Sequence, residues 1–157
     1  MPTTTAHLDM AIQLATRVHA GQVDKAGMPY ILHPLRVMLD MDTPDERVVA
    51  VLHDVLEDAK AGTVTAEILA ANGFPAEVVQ AVVTLTRVPG ETYADYIHRV
   101  GQSGPLARKV KMADLLDNLD PERDSRVTTP EIASLRKRYI MARVVLAGYE
   151  IASRPLP

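Results

Sequence analysis

The chain has no cysteine among its 157 residues, and this absence limits the chemistry open to it. Disulfides, thiolate metal sites and cysteine nucleophiles are excluded, so any metal ion must be held by His, Asp or Glu. Nitrogen and oxygen ligands of this kind favour harder divalent ions such as Mn²⁺, Fe²⁺ or Mg²⁺.

The sequence also lacks long apolar runs. No stretch approaches the roughly 18 uninterrupted apolar residues of a membrane span, and the first residues, MPTTTAHLDM, lack the basic region and apolar run of a secretory signal. We therefore expect a cytoplasmic protein without a membrane partner. The net charge of −3 argues against a nucleic-acid surface but leaves room for a local basic pocket that binds a small phosphorylated ligand.

Paired alternating strands, internal repeats and domain linkers are not evident in the sequence either. Apolar residues instead recur at helical spacing, and 47% of the side chains are hydrophobic. A chain of this length can bury a substantial core. We predict one all-α domain, a compact multi-helix bundle over residues 1–157, in which residues 152–157 form a frayed tail.

Start and stop signals divide the chain into helices. Gly21 suits a helix C-terminus, and Pro34 and Pro44 suit first turns, the latter with Thr43 as N-cap. The predicted helices are the following: residues 6–20, one from about His33, one from Pro44 through residues 51–58, one from Thr63 or Thr65 to about Ala71, one from Pro75 to about Thr86, residues 92–100, one from Pro105, and residues 129–152.

The stretch VLHDVLED, residues 51–58, places a histidine and three carboxylates among Val and Leu. At about 100° per residue on one helix, His53, Asp54, Glu57 and Asp58 share one sector. That sector contains no Lys or Arg, and Ala50 leaves space in it. A solvated acidic helix face remains possible, but a bound cation would balance the charge.

Two further candidate metal ligands lie elsewhere in the sequence. His33 stands among apolar residues in YILHPL, and Asp114 lies on a helix whose apolar positions include Val110, Ala113 and Leu116. Alone, His33 is typical of a core or capping histidine, and a buried Asp114 needs a partner. Together, two histidines and two aspartates on three helices form a plausible shell for a divalent ion: His33, His53, Asp54 and Asp114.

Three segments, HAGQVDKAGMPYILHPLRV, AVLHDVLEDA and ARKVKMADLLDNL, occur in this order. The chain from its first helix to Leu119 resembles the HD-domain phosphohydrolases, in particular the hydrolase domain of RelA/SpoT-type enzymes and the free-standing small alarmone hydrolases. The resemblance implies an HD-domain bundle that removes the 3′-pyrophosphate of guanosine tetra- or pentaphosphate, the alarmones of the stringent response. It also implies a metal ion, commonly manganese, held by His33, His53, Asp54 and Asp114.

The resemblance extends to catalytic and substrate-binding positions. It makes Glu57 and Asp58 a catalytic acid/base pair, and it places Lys25, Asn118 and Tyr139 at the substrate. Each of the three has an ordinary alternative: a solvated loop lysine, an asparagine that caps the backbone, and a core tyrosine. The chain also departs from the family, because Asp24 replaces an arginine that stacks on guanine. Leu115 replaces the arginine that follows the family's Ala-Asp pair, here Ala113 and Asp114.

Three functions therefore remain open. The favoured one is a metal-dependent pyrophosphohydrolase for guanosine alarmones, in which a metal ion lowers the pKa of water and draws charge from the phosphoryl group. A second keeps the chemistry but acts on another nucleotide, such as an adenosine alarmone or the 2′-phosphate of NADPH. A third is a catalytically silent domain that binds a nucleotide as a sensor.

Overall fold

The computed structural model describes residues 4–60, 62–121 and 129–153, and within them the fold is all-α and forms one compact domain. An isolated antiparallel bridge joins Val23 and Pro29 in the first loop. The helices are α1 (Thr4–Val18), α2 (Leu32–Leu39), α3 (Pro44–Leu52), α4 (Val55–Asp58), α5 (Ala66–Ala71), α6 (Ala76–Leu85), α7 (Tyr93–Gln102), α8 (Pro105–Asn118) and α9 (Pro130–Ala152).

Most of the predicted helix starts are confirmed, because local capping chemistry sets them. Thr43 forms a capping box with Glu46: its hydroxyl accepts from the Glu46 amide at 3.3 Å, and the Glu46 carboxylate accepts from the Thr43 amide at 3.0 Å. Thr65, Thr92 and Thr129 likewise cap α5, α7 and α9. Gly21 follows α1 with a φ of 80°, which a residue with a side chain rarely adopts.

The third helix is shorter than predicted. It ends at Leu52, and a turn at His53 and Asp54 separates it from α4, so residues 51–58 do not form one continuous helix. The His53 ring nitrogen Nδ1 donates to the Ala50 carbonyl oxygen at 2.7 Å, a local bond that competes with regular helix hydrogen bonding. The prediction that Ala50 leaves open space beside the polar residues is also wrong, because Ala50 is fully buried in the core.

Helix α3 is the centre of the fold. Its residues 48–52 are buried, and it packs against α1, α2, α6 and α8. Helix α9 packs across α7 and α8. The apolar burial of α3 therefore holds its C-terminal turn, with His53 and Asp54, between α2 and α8.

The buried face of α8 differs from the prediction by one position. Leu115 is fully buried, whereas Leu116, predicted to face the core, is 43% exposed. At the other end of α9, Ala152 is the last helical residue, and residues 154–157 of the predicted frayed tail lie outside the described residues. None of the helices in the described ranges is both long and apolar enough to cross a membrane.

Candidate metal centre and active-site cavity

Four side chains from three parts of the fold meet beside the end of α3. The Nε2 atom of His33, on α2, lies 3.0 Å from Asp114 Oδ1, on α8, and 3.9 Å from Asp54 Oδ2. The Nε2 atom of His53 lies 3.1 Å from Asp54 Oδ2 and 3.7 Å from Asp114 Oδ1. The structure thus brings together all four residues that the sequence suggested as metal ligands.

The other nitrogen of each histidine ring defines what the inward nitrogen can do. Nδ1 of His33 lies 2.6 Å from Asp117 Oδ2, and Nδ1 of His53 lies 2.7 Å from the Ala50 carbonyl oxygen. Because both partners are acceptors, each Nδ1 carries the proton, and a neutral ring then points an Nε2 lone pair inward.

Those lone pairs face carboxylate oxygens, an arrangement that requires a positive species between them. Protons on Nε2 or a divalent cation would serve. Although Asp54 Oδ2 lies 3.1 Å away, His53 Nε2 is buried and makes no hydrogen bond of acceptable geometry with the described residues. One nitrogen each from His33 and His53 and one oxygen from Asp114 lie within 4.8 Å of one another, a spacing at which one ion can contact all three. The donor set therefore fits a divalent metal ion, with both histidines held from behind as is usual for metal ligands.

Electrostatics keeps this cluster charged. Burial alone would lower the pKa of His53, but Asp54 and Asp114 outweigh burial and raise it well above its ordinary value. Burial alone would raise the pKa of the Asp114 carboxyl, but Lys111 and the two histidines hold it well below its usual range. The Lys111 ammonium lies 2.7 Å from Asp114 Oδ2, and the other oxygen, Oδ1, faces the histidines.

Further hydrogen bonds fix the two aspartates. The Tyr30 hydroxyl donates to Asp54 Oδ2 at 2.5 Å, and burial together with Asp54 raises the pKa of that hydroxyl, which therefore stays protonated. The Asn118 amide donates to Asp114 Oδ1 at 2.6 Å. Asn118, predicted as a substrate residue, thus contacts a candidate metal ligand directly.

A cavity of about 410 Å³ opens onto the cluster. Its wall includes His33, Asp54 and Asp114, together with the predicted residues Glu57, Lys25, Asn118 and Tyr139. Four of the chain's five tyrosines line it: Tyr30, Tyr93, Tyr96 and Tyr139. Basic side chains in the wall are Lys25, Arg87, Lys111, Arg136 and Arg138. The cavity combines aromatic surface with positive charge, as a site for a phosphorylated ring compound requires.

Glu57 and Asp58 occupy different surroundings. Glu57 lines the cavity, and its carboxylate lies 3.4 Å from the Arg87 backbone amide. Asp58 lies 3.6 Å from His19 Nδ1, and burial together with the charge of Asp54 raises its pKa. The structure therefore places the predicted pair near the cluster of histidines and aspartates, with Glu57 on the cavity side and Asp58 against α1.

The departures at Asp24 and Leu115 have structural roles. Asp24 Oδ1 accepts from the backbone amides of Ala26 and Met28, both at 2.9 Å, so this carboxylate organises the loop between α1 and α2. Leu115 fills the core. Among the predicted substrate residues, Lys25 is exposed at the cavity, and burial with the Asp114 carboxylate raises the pKa of Tyr139 to about 12.

Several residues of the site were not predicted from the sequence, although helical spacing offered a signal for some of them. Lys111 precedes Asp114 by three positions and Asp117 follows it by three, which places both next to Asp114 on α8. Tyr30 precedes His33 by three positions. Tyr93 and the arginines of the cavity come from distant segments, and no local pattern links them to the motifs.

Comparison with known proteins gives relatives named as GTP pyrophosphokinases and as a pyrophosphohydrolase. No protein-family model matches the chain. A probable GTP pyrophosphokinase of Mycobacterium leprae is 36% identical in an alignment that covers 85% of this chain and 19% of that protein. A guanosine-3′,5′-bis(diphosphate) 3′-pyrophosphohydrolase of Aquifex aeolicus is 30% identical in an alignment that covers 75% of this chain and 18% of that protein. The chain thus spans about a fifth of the length of these relatives.

A solved structure shares the fold. It is that of a metazoan ortholog of SpoT described as hydrolysing ppGpp and playing a role in starvation responses. The TM-score is 0.70 at 24% identity, and the match covers 95% of this chain and 86% of that one. The all-α arrangement around the cluster is therefore the arrangement of that structure.

Proposed function

Because the chain belongs to the RelA/SpoT-type family of hydrolase domains, we propose that it removes the 3′-pyrophosphate of guanosine tetra- or pentaphosphate in a metal-dependent hydrolysis. The observation that carries the proposal is the convergence of two inward histidine nitrogens and two carboxylates beside a cavity lined by tyrosines and basic side chains.

The proposed metal ligands are His33, His53, Asp54 and Asp114, in an HD-type site. Manganese is the proposed ion, with Fe²⁺ or Mg²⁺ as alternatives, because the donors are nitrogen and oxygen atoms without sulfur. A divalent ion there would lower the pKa of water and withdraw charge from a phosphoryl oxygen. Tyr30, Lys111 and Asn118 hold the two aspartates in place for it.

Glu57 and Asp58 are the proposed acid/base pair. Water adds to the phosphorus that carries the 3′ oxygen, the bond from that phosphorus to the 3′ oxygen breaks, and pyrophosphate leaves. One proton leaves the water and one arrives on the 3′ oxygen, so a carboxylate and a carboxylic acid are both useful. Glu57, on the cavity wall, can reach the substrate, and the raised pKa of Asp58 favours its carrying a proton.

The rest of the cavity would hold the nucleotide. Lys25 and the cavity arginines supply charge for phosphate groups, and the Tyr139 hydroxyl stays protonated as a donor because its pKa is about 12. The wall of tyrosines offers surface on which a base can stack. A small phosphorylated nucleotide is therefore the proposed partner, whereas the cytoplasmic location and the absence of a nucleic-acid partner stay predictions.

One observation favours a second candidate substrate with a different base. Asp24 replaces the family's base-stacking arginine, and its carboxylate accepts hydrogen bonds from backbone amides of its own loop. An adenosine alarmone or NADPH could then compete as substrate. A nucleotide sensor without turnover is the remaining alternative.

A panel of nucleotides tests the proposal. Purified protein with Mn²⁺ is incubated separately with guanosine tetraphosphate, its adenosine counterpart and NADPH, and phosphate is separated from pyrophosphate. We expect pyrophosphate from guanosine tetraphosphate, and none after chelation. If NADPH is the one nucleotide of the panel that yields product, as phosphate, the second candidate is supported. If nucleotides bind but none yields product, the sensor is supported.

A further inference from the structure

Asp117 lies on the side of His33 that faces away from the cluster. Its Oδ2 lies 2.6 Å from His33 Nδ1, and its Oδ1 accepts from Arg36 Nε at 2.6 Å. Arg36 also donates to Oδ2 through an Nη2 at 3.2 Å. The side chains of His33 and Asp117 are 2% and 10% exposed, so the contact between them is almost dry.

Two helices supply this group. His33 and Arg36 are three positions apart on α2, and Asp117 is on α8, three positions after Asp114. Helical spacing therefore lets α8 contact the His33 ring twice: Asp114 at Nε2 and Asp117 at Nδ1.

The two carboxylates have different chemical consequences for the ring. A carboxylate at Nδ1 holds the proton there, fixes the ring orientation and makes Nε2 a stronger electron donor. The bidentate contact with Arg36 fixes the carboxylate plane in turn. His53 has only a backbone carbonyl at the corresponding nitrogen, so the two histidines are supported unequally.

We infer that Asp117 is a positioning residue for the metal centre, which sets the tautomer and basicity of His33, and that Arg36 acts through Asp117. This inference rests on the proposed function, because it assigns His33 Nε2 to a metal ion. A merely structural role, in which the triad only ties α2 to α8, makes different predictions.

Metal affinity provides the first test. Asp117→Asn keeps the side-chain size but removes the charge behind His33. We expect Mn²⁺ affinity, measured by calorimetry on chelator-treated protein, to fall by about 10- to 100-fold. Asp9→Asn, which neutralises an exposed aspartate on α1, is the matched control and should leave the affinity unchanged. Unchanged Mn²⁺ affinity in Asp117→Asn, with a lower melting temperature, would overturn the inference in favour of the structural role.

A double-mutant cycle tests the order of action. Arg36→Gln should weaken Mn²⁺ binding less than Asp117→Asn, and the double variant should bind no more weakly than Asp117→Asn alone. Losses of Mn²⁺ affinity that add in the double variant would contradict the statement that Arg36 acts through Asp117.

Nuclear magnetic resonance of the metal-free protein separates this inference from the proposed function. The Nδ1 proton of His33, bonded to a carboxylate, should resonate far downfield in the wild type and move upfield in Asp117→Asn. A resonance that does not move would overturn the inference. If the wild type binds no Mn²⁺, the proposed function fails, and the resonance still decides whether Asp117 sets the tautomer of His33.

Discussion

At the scale of single residues, the hydrogen-bond partner on the outer side of each proposed ligand decides which of its atoms faces the cluster. His33 and His53 carry their protons on the outer nitrogen because Asp117 and the Ala50 carbonyl oxygen accept there. Lys111 holds Oδ2 of Asp114, so Oδ1, which also accepts from the Asn118 amide, is the oxygen that faces the histidines. The raised pKa values of the two histidines place a proton on each inward nitrogen of the metal-free protein, and a metal ion would displace these protons.

Glu57 and Asp58 should affect turnover rather than metal binding. Glu57→Gln and Asp58→Asn keep size and most hydrogen bonds but remove proton transfer, so we expect kcat to fall by about 10²- to 10⁴-fold for each. Mn²⁺ affinity should change little, because neither carboxylate is among the proposed ligands. The measurement is kcat on the best substrate of the nucleotide panel, together with Mn²⁺ calorimetry.

Glu77→Gln on α6 is the matched control for that prediction, since Glu77 is exposed and distant in sequence from the motifs. Its kcat should equal that of the wild type. Wild-type turnover in both Glu57→Gln and Asp58→Asn would mean that the acidic stretch is a solvated surface, as an isolated amphipathic helix would be.

The candidate site could be predicted at the residue scale only where chemistry is concentrated in short motifs. His33, His53, Asp54 and Asp114 stand out because polar groups in apolar segments need a reason to be there. Tyr93 and Arg138 have no such mark, since a tyrosine and an arginine on amphipathic helices are ordinary. Their place in the cavity depends on how α7 and α9 pack, which is a long-range property.

At the scale of elements, the site depends on α7 and α9 packing closely. Gly101, on α7, lies against the ring of Tyr149 on α9, and a Cβ atom at position 101 would overlap that ring. The Tyr149 hydroxyl also lies 3.0 Å from His98 Nδ1, so α7 contacts this tyrosine at two positions. Gly101 is thus required for close approach, and the approach positions Tyr93 relative to Tyr139.

Gly101→Ala should separate these two helices. Overpacking of this kind costs about 1–3 kcal/mol, which exceeds the helix propensity that alanine gains. We expect the free energy of unfolding in urea to fall by that amount. Gly148→Ala, at a glycine within α9, is the control, because no atom lies within 4 Å of a Cβ placed there. Equal stability of the Gly101→Ala and Gly148→Ala variants would show that the helices are not in close contact.

Helix starts were predictable and one helix end was not, for a physical reason. Thr43, Thr65, Thr92 and Thr129 each accept from the amide three residues further along the chain, so the signal is local. The break after Leu52 involves a His53 ring that turns toward the Ala50 carbonyl oxygen and the cluster. Nothing in the apolar period of residues 48–56 marks it, and a continuous helix satisfies that period equally well.

At the scale of the whole molecule, the cluster links folding to pH. The pKa values of His33 and His53 are raised in the folded protein, because neighbouring carboxylates outweigh the burial that lowers them. Their contribution to stability is complete below the unfolded pKa of about 6.5 and is lost as pH rises through the folded value. The lowered pKa values of Asp54 and Asp114 act oppositely: their contribution is present above about pH 3.9 and is lost as pH falls through the folded values.

The metal-free protein should therefore be most stable between about pH 4 and 6.5, and its free energy of unfolding should fall as pH rises further. Mn²⁺ should add more stability at pH 8 than at pH 6, because the ion competes with protons for the histidine nitrogens. Urea unfolding at several pH values, with Mn²⁺ and with a chelator, measures both. A metal-free stability that increases from pH 6.5 to 8 would contradict the charge balance described for the cluster.

The position of the bound ion tests the central claim most directly. Crystals grown with Mn²⁺ should show an anomalous scattering peak about 2.0–2.2 Å from Nε2 of His33 and His53 and from an oxygen each of Asp54 and Asp114. The ion at this peak should also face the cavity whose wall contains Glu57 and Tyr139. A manganese ion bound elsewhere, or one that leaves either histidine uncoordinated, would contradict the account.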